Sequence, residues 1–434
     1  MPTKLLERAI LTVRNAGKGD VERFAFCSPV SASLSSVQVA EVDGKKPEMA
    51  NVMDIVGTVE DASIPDGVVC TDYGLLSPLK KGERRELVVL SKVTNHMVAY
   101  PHERKQLEEP MVLVSFPGTM LSMYEIVEEK TTLKLGTPSS EVKKKVSKGG
   151  RSFTVDESLV TLEEIKNVKP FANDTMQLQI SLPQPLVRAR IERDIYVSHW
   201  GKVRMQELYD VRNDASSIKG EFSRVDFLLK DSGYHGAALQ LRAGLPGGAY
   251  DIRYRDEIGN ISTSKLARSE DNRYIGMSIE PRFPLFGGWH TKFELSYSLG
   301  LNWLVAKGKT GLYEMVFTQA PMIKDMICDY IITRVHLPEG STVSVLPEVE
   351  NMDDIFVSEE RTFLSVYPRP VVTITQSNIV NEPQIEVPLA EVKYSYQPWL
   401  RFQQIVVATV VAIVSVRLLA LIDLEGKPLK VKKA

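Results

Sequence analysis

The stretch RDIYVSHW, residues 193–200, alternates with a period of two. Ile195, Val197 and His199 fall on one face and Tyr196, Ser198 and Trp200 on the other, which is the signature of a half-buried strand. The same period recurs downstream. In IITRVHLPEGSTVSVL (331–346), Ile331, Thr333, Val335 and Leu337 share a side, and PEGS supplies a reversal before Val343 and Val345, predicting strand, turn, strand. TFLSVYPRPVVTITQ (362–376) and IEVPLAEVKYSY (385–396) alternate in the same way. Amphipathic helix patterns are few, and DESLVTLEEIKNV (156–168) is the best short candidate. Many short strands separated by turn signals predict a mainly β chain of sandwich-like units.

With 434 residues the chain suits two such units plus extras. GTPSSEVKKKVSKGGRS (136–152) has no apolar periodicity and predicts an exposed loop, about residues 136–155, inside the first unit. The expected division is 1–180 for the first β-rich unit, 181–398 for the second, 399–422 for an apolar helix and 423–434 for a short basic tail. In FQQIVVATVVAIVSV (402–416) there is no charge. Fifteen helical residues rise only about 22 Å, but continuing past Arg417 to Ile422 gives about 31 Å, enough for the hydrocarbon core. An arginine near a helix end snorkels to the headgroups, so one membrane-spanning helix is expected. Lys427, Lys430, Lys432 and Lys433 follow it, and such an excess favours the cytoplasmic side. The first twenty residues hold only five consecutive uncharged positions, Ala9–Val13, too few for a leader. Either the sequence begins after its true start, or the bulk is cytosolic and tail-anchored.

Composition narrows the chemistry. A net charge of −2 leaves no footprint for nucleic acid. Cys27, Cys70 and Cys328 have no metal-ligand spacing; buried free thiols are the preferred reading, with at most one intrachain disulfide. None of the six histidines sits in HExxH, and GxSxG is absent, so no catalytic, cofactor or metal site is assigned. AKGKTG (306–311) imitates a phosphate loop, but Trp303 stands where that loop needs its first glycine, and GLPGG (244–248) reads as a turn. Asn173 in NDT and Asn260 in NIS are candidate N-glycosylation sites. In PRFPLFGGW (281–289), Pro281 and Pro284 remove backbone donors and Gly287 and Gly288 permit a tight turn. Phe283, Phe286 and Trp289 can then be buried around it, predicting a rigid structural corner rather than a peptide-binding surface.

Three stretches together carry a resemblance: residues 189–227 with SHWG, residues 250–264 with RDEIGNISTS, and residues 280–297 with PRFPLFGGW. They resemble the ribophorin I family, with LPEG (337–340) and VRL (416–418) also in keeping and a clear match over about 186–422. VTNHMVAYP (93–101) and KLGTP (134–138) hold the first unit more weakly. The resemblance implies two tandem lumenal β-sandwich-like domains on one helix in the endoplasmic reticulum membrane, with the C-terminus cytosolic. It implies a non-catalytic subunit of the oligosaccharyltransferase complex, which transfers a preassembled oligosaccharide from dolichyl diphosphate to asparagine of nascent polypeptides. The chemistry then belongs to a multi-spanning partner subunit, and this chain would scaffold or handle the acceptor, touching membrane lipid through its helix. The family has a cleaved signal peptide, so this chain is expected to begin near the end of the first strand. Lys430 and Lys432 match the KxKxx pattern of a retrieval signal. The alternative reading is a lumenal binding receptor or trafficking adaptor of the secretory pathway.

Overall fold

The computed structural model describes residues 5–29, 34–42, 51–134, 142–147, 152–156, 159–229, 236–308, 311–324, 326–346, 352–363, 365–380 and 389–421. The chain is mainly β with a long helix at its C-terminal end, as the periodicity predicts. The retrieval pattern at Lys430 and Lys432 lies outside the described residues.

The alternating stretch that opens the reading belongs to strand Val187–Ser198, at the middle of a seven-stranded sheet. In order, the sheet comprises Tyr250–Asp256, His290–Gly300, Lys202–Asn213, Val187–Ser198, Ile327–His336, Arg369–Val380 and Asp354–Glu360. All neighbours are antiparallel except Val187–Ser198 with Ile327–His336. Ile191, Ile195 and Val197 point inward, as do Ile331, Val335 and Leu337. They share one core with Met277 and Ile279 of a three-stranded sheet and with Met315, Val392 and Tyr394 of a four-stranded sheet. This is a sandwich whose inner faces interdigitate, the arrangement that lets each strand bury alternate residues.

Within that core lies an ion pair. Arg193 Nε donates to Glu207 Oε1 at 2.7 Å, and neither side chain is exposed. The remaining Arg193 nitrogens donate to the carbonyls of Thr318 (2.7 Å) and Ala320 (2.8 Å), while Tyr209 donates to Glu207 Oε2 at 2.5 Å. Arg193 thus crosses from one sheet to carbonyls at the end of a strand in the other, which meets the requirement that a buried charge be paired and fully bonded.

The first 182 residues hold separate clusters. Phe24, Val39, Tyr73, Leu87 and Val89 form one, between a four-stranded and a three-stranded sheet. Val112, Phe116, Val160, Leu178 and Ile180 form another around Met111–Pro117 and Thr175–Ser181. A third small cluster, Cys27, Cys70 and Leu121, joins the two.

Several expectations need correction. The expected helix at 156–168 is replaced, over the described residues, by strands: Leu159–Leu162 and Ile165–Val168 are short strands, with Val160 and Leu162 turned inward. Inside the expected loop, Val142–Ser147 forms an edge strand on Thr175–Ser181, and edge strands tolerate lysines because charge there discourages further pairing. Thr342–Val345 does not fold back on Ile327–His336 but pairs with Leu389–Ser395 in the other sheet, so PEGS turns a sandwich corner and not a hairpin. The strand at 193–200 ends at Ser198; His199, Trp200 and Gly201 form the tip of the hairpin to Lys202–Asn213. Cys27 and Cys70 are not free thiols but a disulfide, and Cys328 alone is a buried free cysteine. Strand Leu5–Arg14 pairs over its whole length with Arg84–Val93.

Candidate functional site: the 281–289 corner and the neck of the helix

The corner predicted at 281–289 is assembled around Asn213, the last residue of strand Lys202–Asn213. Its side chain is 0% exposed and uses both ends. Oδ1 accepts from the amides of Leu186 and Ala215 (3.1 Å each), and Nδ2 donates to the carbonyls of Gly236 (2.8 Å) and Leu285 (2.9 Å). Its backbone holds the turn as well: Gly288 N donates to Asn213 O at 2.8 Å and Asn213 N to Trp289 O at 3.1 Å. A Cβ on Gly287 would lie 2.1 Å from the Ser216 carbonyl oxygen, and Gly288 has φ +79°, so both glycines are required.

Phe286 is fully buried, and its ring meets Phe222 (5.2 Å), Trp289 (5.3 Å) and Phe227 of the short helix Arg224–Leu229 (5.7 Å). Phe283 was expected inside this cluster. It touches Trp289 only from the rim and remains 40% exposed, because Pro284 and the inward-facing Leu285 turn the chain between them.

The corner also reaches the first unit. The Ser216 hydroxyl donates to Pro101 O (2.6 Å), the Ser217 amide to His102 O (2.8 Å) and the Lys219 amide to Arg104 O (2.8 Å). Gln106 and Ser223 exchange a pair of bonds at 2.8 Å each. Arg104, itself buried, donates to the Glu108 carbonyl at 2.6 Å and so fixes the loop that receives these contacts. Residues 215–223 therefore form a seam, with the aromatic cluster on one side and residues 101–106 on the other.

Arg282 links the corner to the RDEIGN turn. Its guanidinium engages both carboxylate oxygens of Asp256 and donates to the carbonyls of Gly259 (3.3 Å) and Asn260 (3.4 Å). These bonds, with others from the Gly259 and Ile258 amides, hold the Asp256 carboxyl down at about 2. Asn260 is exposed on this stapled turn, and Asn173 is exposed just before strand Thr175–Ser181.

At the other end of the sandwich lies the neck. The helix Gln403–Leu421 is preceded by a tight turn, Pro398–Phe402, and together Pro398–Ala420 is long and apolar enough to cross a membrane, with its surface almost wholly exposed. Glu339 of LPEG is buried against its start. It accepts from Gln403 Nε2 (2.8 Å), Gln404 Nε2 (2.7 Å) and the Thr362 hydroxyl, with Arg369 at 3.6 Å. His199 stacks on Tyr396 (4.3 Å), and its Nε2 lies 3.0 Å from the Tyr394 hydroxyl. Burial, helped by nearby Arg401, lowers its pKa to about 4, so it is neutral at physiological pH.

Two further histidines make structural contacts. His336 lies with Nε2 3.0 Å from Asp194 and Nδ1 3.2 Å from Glu360, leaving no ring nitrogen for a nucleophile. His96 is buried with Nδ1 3.1 Å from Val93 O. No cluster of three or more potential metal ligands occurs among the described residues. Residues 306–308 run through the end of strand Val305–Lys307, which pairs with Leu312–Thr318, a strand-to-strand connection unlike a phosphate loop. Sequence reasoning missed Asn213, Glu339, Arg193 and Glu207. All four are polar residues in otherwise alternating strands or turns, and only burial distinguishes them.

The chain matches the family model described as ribophorin I over residues 5–423. It is 30% identical to dolichyl-diphosphooligosaccharide–protein glycosyltransferase subunit 1A of Arabidopsis thaliana, over 85% of this chain and 60% of that protein. It is 30% identical to subunit 1B of the same plant, over 89% and 82%, and 28% identical to subunit 1 of Caenorhabditis elegans, over 86% and 62%. The chain thus spans about 60% of the length of two of these relatives.

Proposed function

Because the chain belongs to the ribophorin I family, we propose that it is a non-catalytic subunit of the oligosaccharyltransferase complex. In this reading it scaffolds the transfer of a preassembled oligosaccharide from dolichyl diphosphate to asparagine in Asn-x-Ser/Thr, while a multi-spanning subunit performs the chemistry. The observation that carries it is the family match over nearly the whole chain, joined to relatives named as subunits of that glycosyltransferase.

The proposed location is the endoplasmic reticulum membrane, with the sandwiches lumenal and the tail cytosolic. The Cys27–Cys70 disulfide supports that side, because such bonds persist in oxidising compartments. Asn260 and Asn173, both exposed, are then available to carry glycan, and Lys430 and Lys432 would serve retrieval. The corner at Pro281, Phe283, Pro284, Phe286, Gly287, Gly288 and Trp289 acts as a structural weld between the units, with other subunits and possible acceptor chains held beyond it.

Purification of the full chain from its native membrane in mild detergent tests the reading. Co-isolation with a multi-spanning glycosyltransferase is expected. Reproducible isolation without one would leave a secretory receptor or adaptor as the better account. Endoglycosidase digestion with a mobility shift lost in Asn260→Gln or Asn173→Gln would mark the side of the membrane.

A further inference from the structure

The sandwich does not meet its helix through a free tether. Glu339 bonds both Gln403 and Gln404 in the first helical turn, and the Tyr367 amide donates to Gln403 Oε1 at 3.3 Å, so the helix leaves the domain in a fixed direction. Beside this attachment stands the hairpin tip. Trp200 is 61% exposed yet its ring meets Phe402 edge-on at 5.6 Å. The Arg401 guanidinium lies 4.8 Å from the Phe402 ring and 5.8 Å from that of Trp200, and Trp399 is equally exposed in the same turn. Phe363 and Val366, which lie between Thr362, bonded to Glu339, and Tyr367, bonded to Gln403, are also solvent-exposed.

Indole rings with one apolar face and one N–H favour the layer between headgroups and hydrocarbon, and arginine stems snorkel there. Phe402 opens the uncharged run, directly after Arg401, so whatever touches it sits at that layer once the helix is inserted. We propose that the membrane-facing end of the second sandwich is a lipid-docking surface. Trp200, Trp399, Phe402 and Arg401, with Phe363 and Val366, rest in the interface of the bilayer that holds the helix. This rests on the reading that Pro398–Ala420 spans a membrane, and it adds that the folded domain itself, through a hairpin some two hundred residues away in sequence, shares the contact.

The patch adjoins the entry point of the span, and that continuity makes the bilayer its occupant. The surface also has a built-in control. Strand His290–Gly300 runs from Trp289 at the corner to Gly300, which pairs with Lys202 at the hairpin. Eleven strand residues place Trp289 roughly 35 Å from the tip, beyond the reach of lipid-borne quenchers.

The test uses the full chain reconstituted into phosphatidylcholine nanodiscs whose acyl chains carry bromine just below the headgroups. Two chains are compared, one retaining only Trp200 and one only Trp289, the other tryptophans replaced by phenylalanine. Folding of each is checked by protection of the buried Cys328 thiol from alkylation. Trp200 emission should fall about twofold in brominated relative to ordinary discs, and aqueous iodide should quench it less than in detergent. Trp289 emission should be unchanged. Inserted chain in which Trp200 ignores bromine but yields fully to iodide overturns the docking surface while leaving the span intact. Chain that leaves the discs at alkaline pH overturns the span, and the docking surface with it. In a chain that keeps the other three tryptophans, W200S should lower bromine quenching and leave the part that belongs to Trp399, an independent readout; unchanged quenching would count against Trp200 at the interface.

Discussion

Replacing Asn213 by alanine isolates the physical claim on which the corner depends, that one buried amide satisfies four backbone groups at once. The variant leaves Leu285 O with its remaining donor, Ala238 N at 2.9 Å. Leu186 N, Ala215 N and Gly236 O, all on buried residues, lose the bond that Asn213 makes to them. A buried polar group left unpaired costs about 1–3 kcal/mol. Water entering the vacated space recovers part of that, so the low end applies, and three groups together cost about 3 kcal/mol. For a unit of about two hundred residues each kcal/mol moves the midpoint by about 2–4 °C, so the transition should fall by about 6–12 °C. The assay is thermal unfolding of the full chain in detergent, followed by tryptophan fluorescence because Trp289 sits in the corner. Asn260→Gln, at an exposed position, is the control and should move the midpoint by less than about 0.5 kcal/mol. If Asn213→Ala melts with Asn260→Gln and the native chain, the corner is not held by this amide.

Three further outcomes follow from the same geometry. Without reductant, denatured chain should alkylate at one thiol, and with reductant at three, while native chain takes none; loss of the Cys27–Cys70 link, which closes 43 residues of separation, should cost about 4 kcal/mol. Glu207→Gln leaves the Arg193 charge buried without its partner and should cost about 3–5 kcal/mol by chemical denaturation, and the double replacement Arg193→Met, Glu207→Leu should recover most of it. His96 and His199 are both held near a pKa of about 4, chiefly by burial, whereas the unfolded imidazole titrates near 6.5. The unfolded state therefore binds more protons between those values, so stability is full above about pH 6.5 and falls as pH drops toward 4; Glu7, raised by burial, and Glu314, raised by its hydrogen-bonded neighbour Glu391, oppose this through smaller shifts. A melting temperature that rises on acidification from pH 7 to 5 would contradict the assignment, and His199→Phe should flatten part of the slope.

The strands were legible where alternation ran long enough to exclude other periods. From Val187 to Val197 every second residue is buried, and Ile331, Thr333, Val335 and Leu337 all face inward. Short runs were not legible. Between 159 and 168 the apolar residues fit both a helical and an alternating template, and pairing with Phe153–Asp156 and Thr132–Lys134 decides for strands. Val142–Ser147 hid behind its lysines, because an edge strand can carry charge that a central one cannot. The corner was readable through proline and glycine, whose backbone limits act locally. Asn213 and Glu339 were not, because their partners lie far away in sequence and nothing in composition separates a saturated buried amide from a solvated one. The cysteine pairing escaped for the same reason: spacing constrains a loop, while only the register of Val21–Pro29 on Val68–Leu79 sets Cys27 opposite Cys70.

Corner and neck occupy opposite ends of the same two strands, and this decides what kind of device the second sandwich is. Lys202–Asn213 begins at the hairpin beside Phe402 and ends at the Asn213 hub; His290–Gly300 makes the return journey. Twelve paired residues span about 40 Å, and a strand buried at the centre of a seven-stranded sheet has no hinge along that length. At one end the Glu339 bonds fix the helix, and at the other the 215–223 seam fixes the first unit. A position imposed by the membrane on Gln403 is therefore carried to the first unit without a flexible joint. On the proposed function, such a strut would hold a polypeptide at a constant height above a bilayer-embedded transferase. Softening either end, by Asn213→Ala at the seam or Glu339→Ala at the neck, should then impair glycosylation of acceptor sites while the complex still assembles. Equal loss of assembly and glycosylation would instead mean that these contacts serve folding alone.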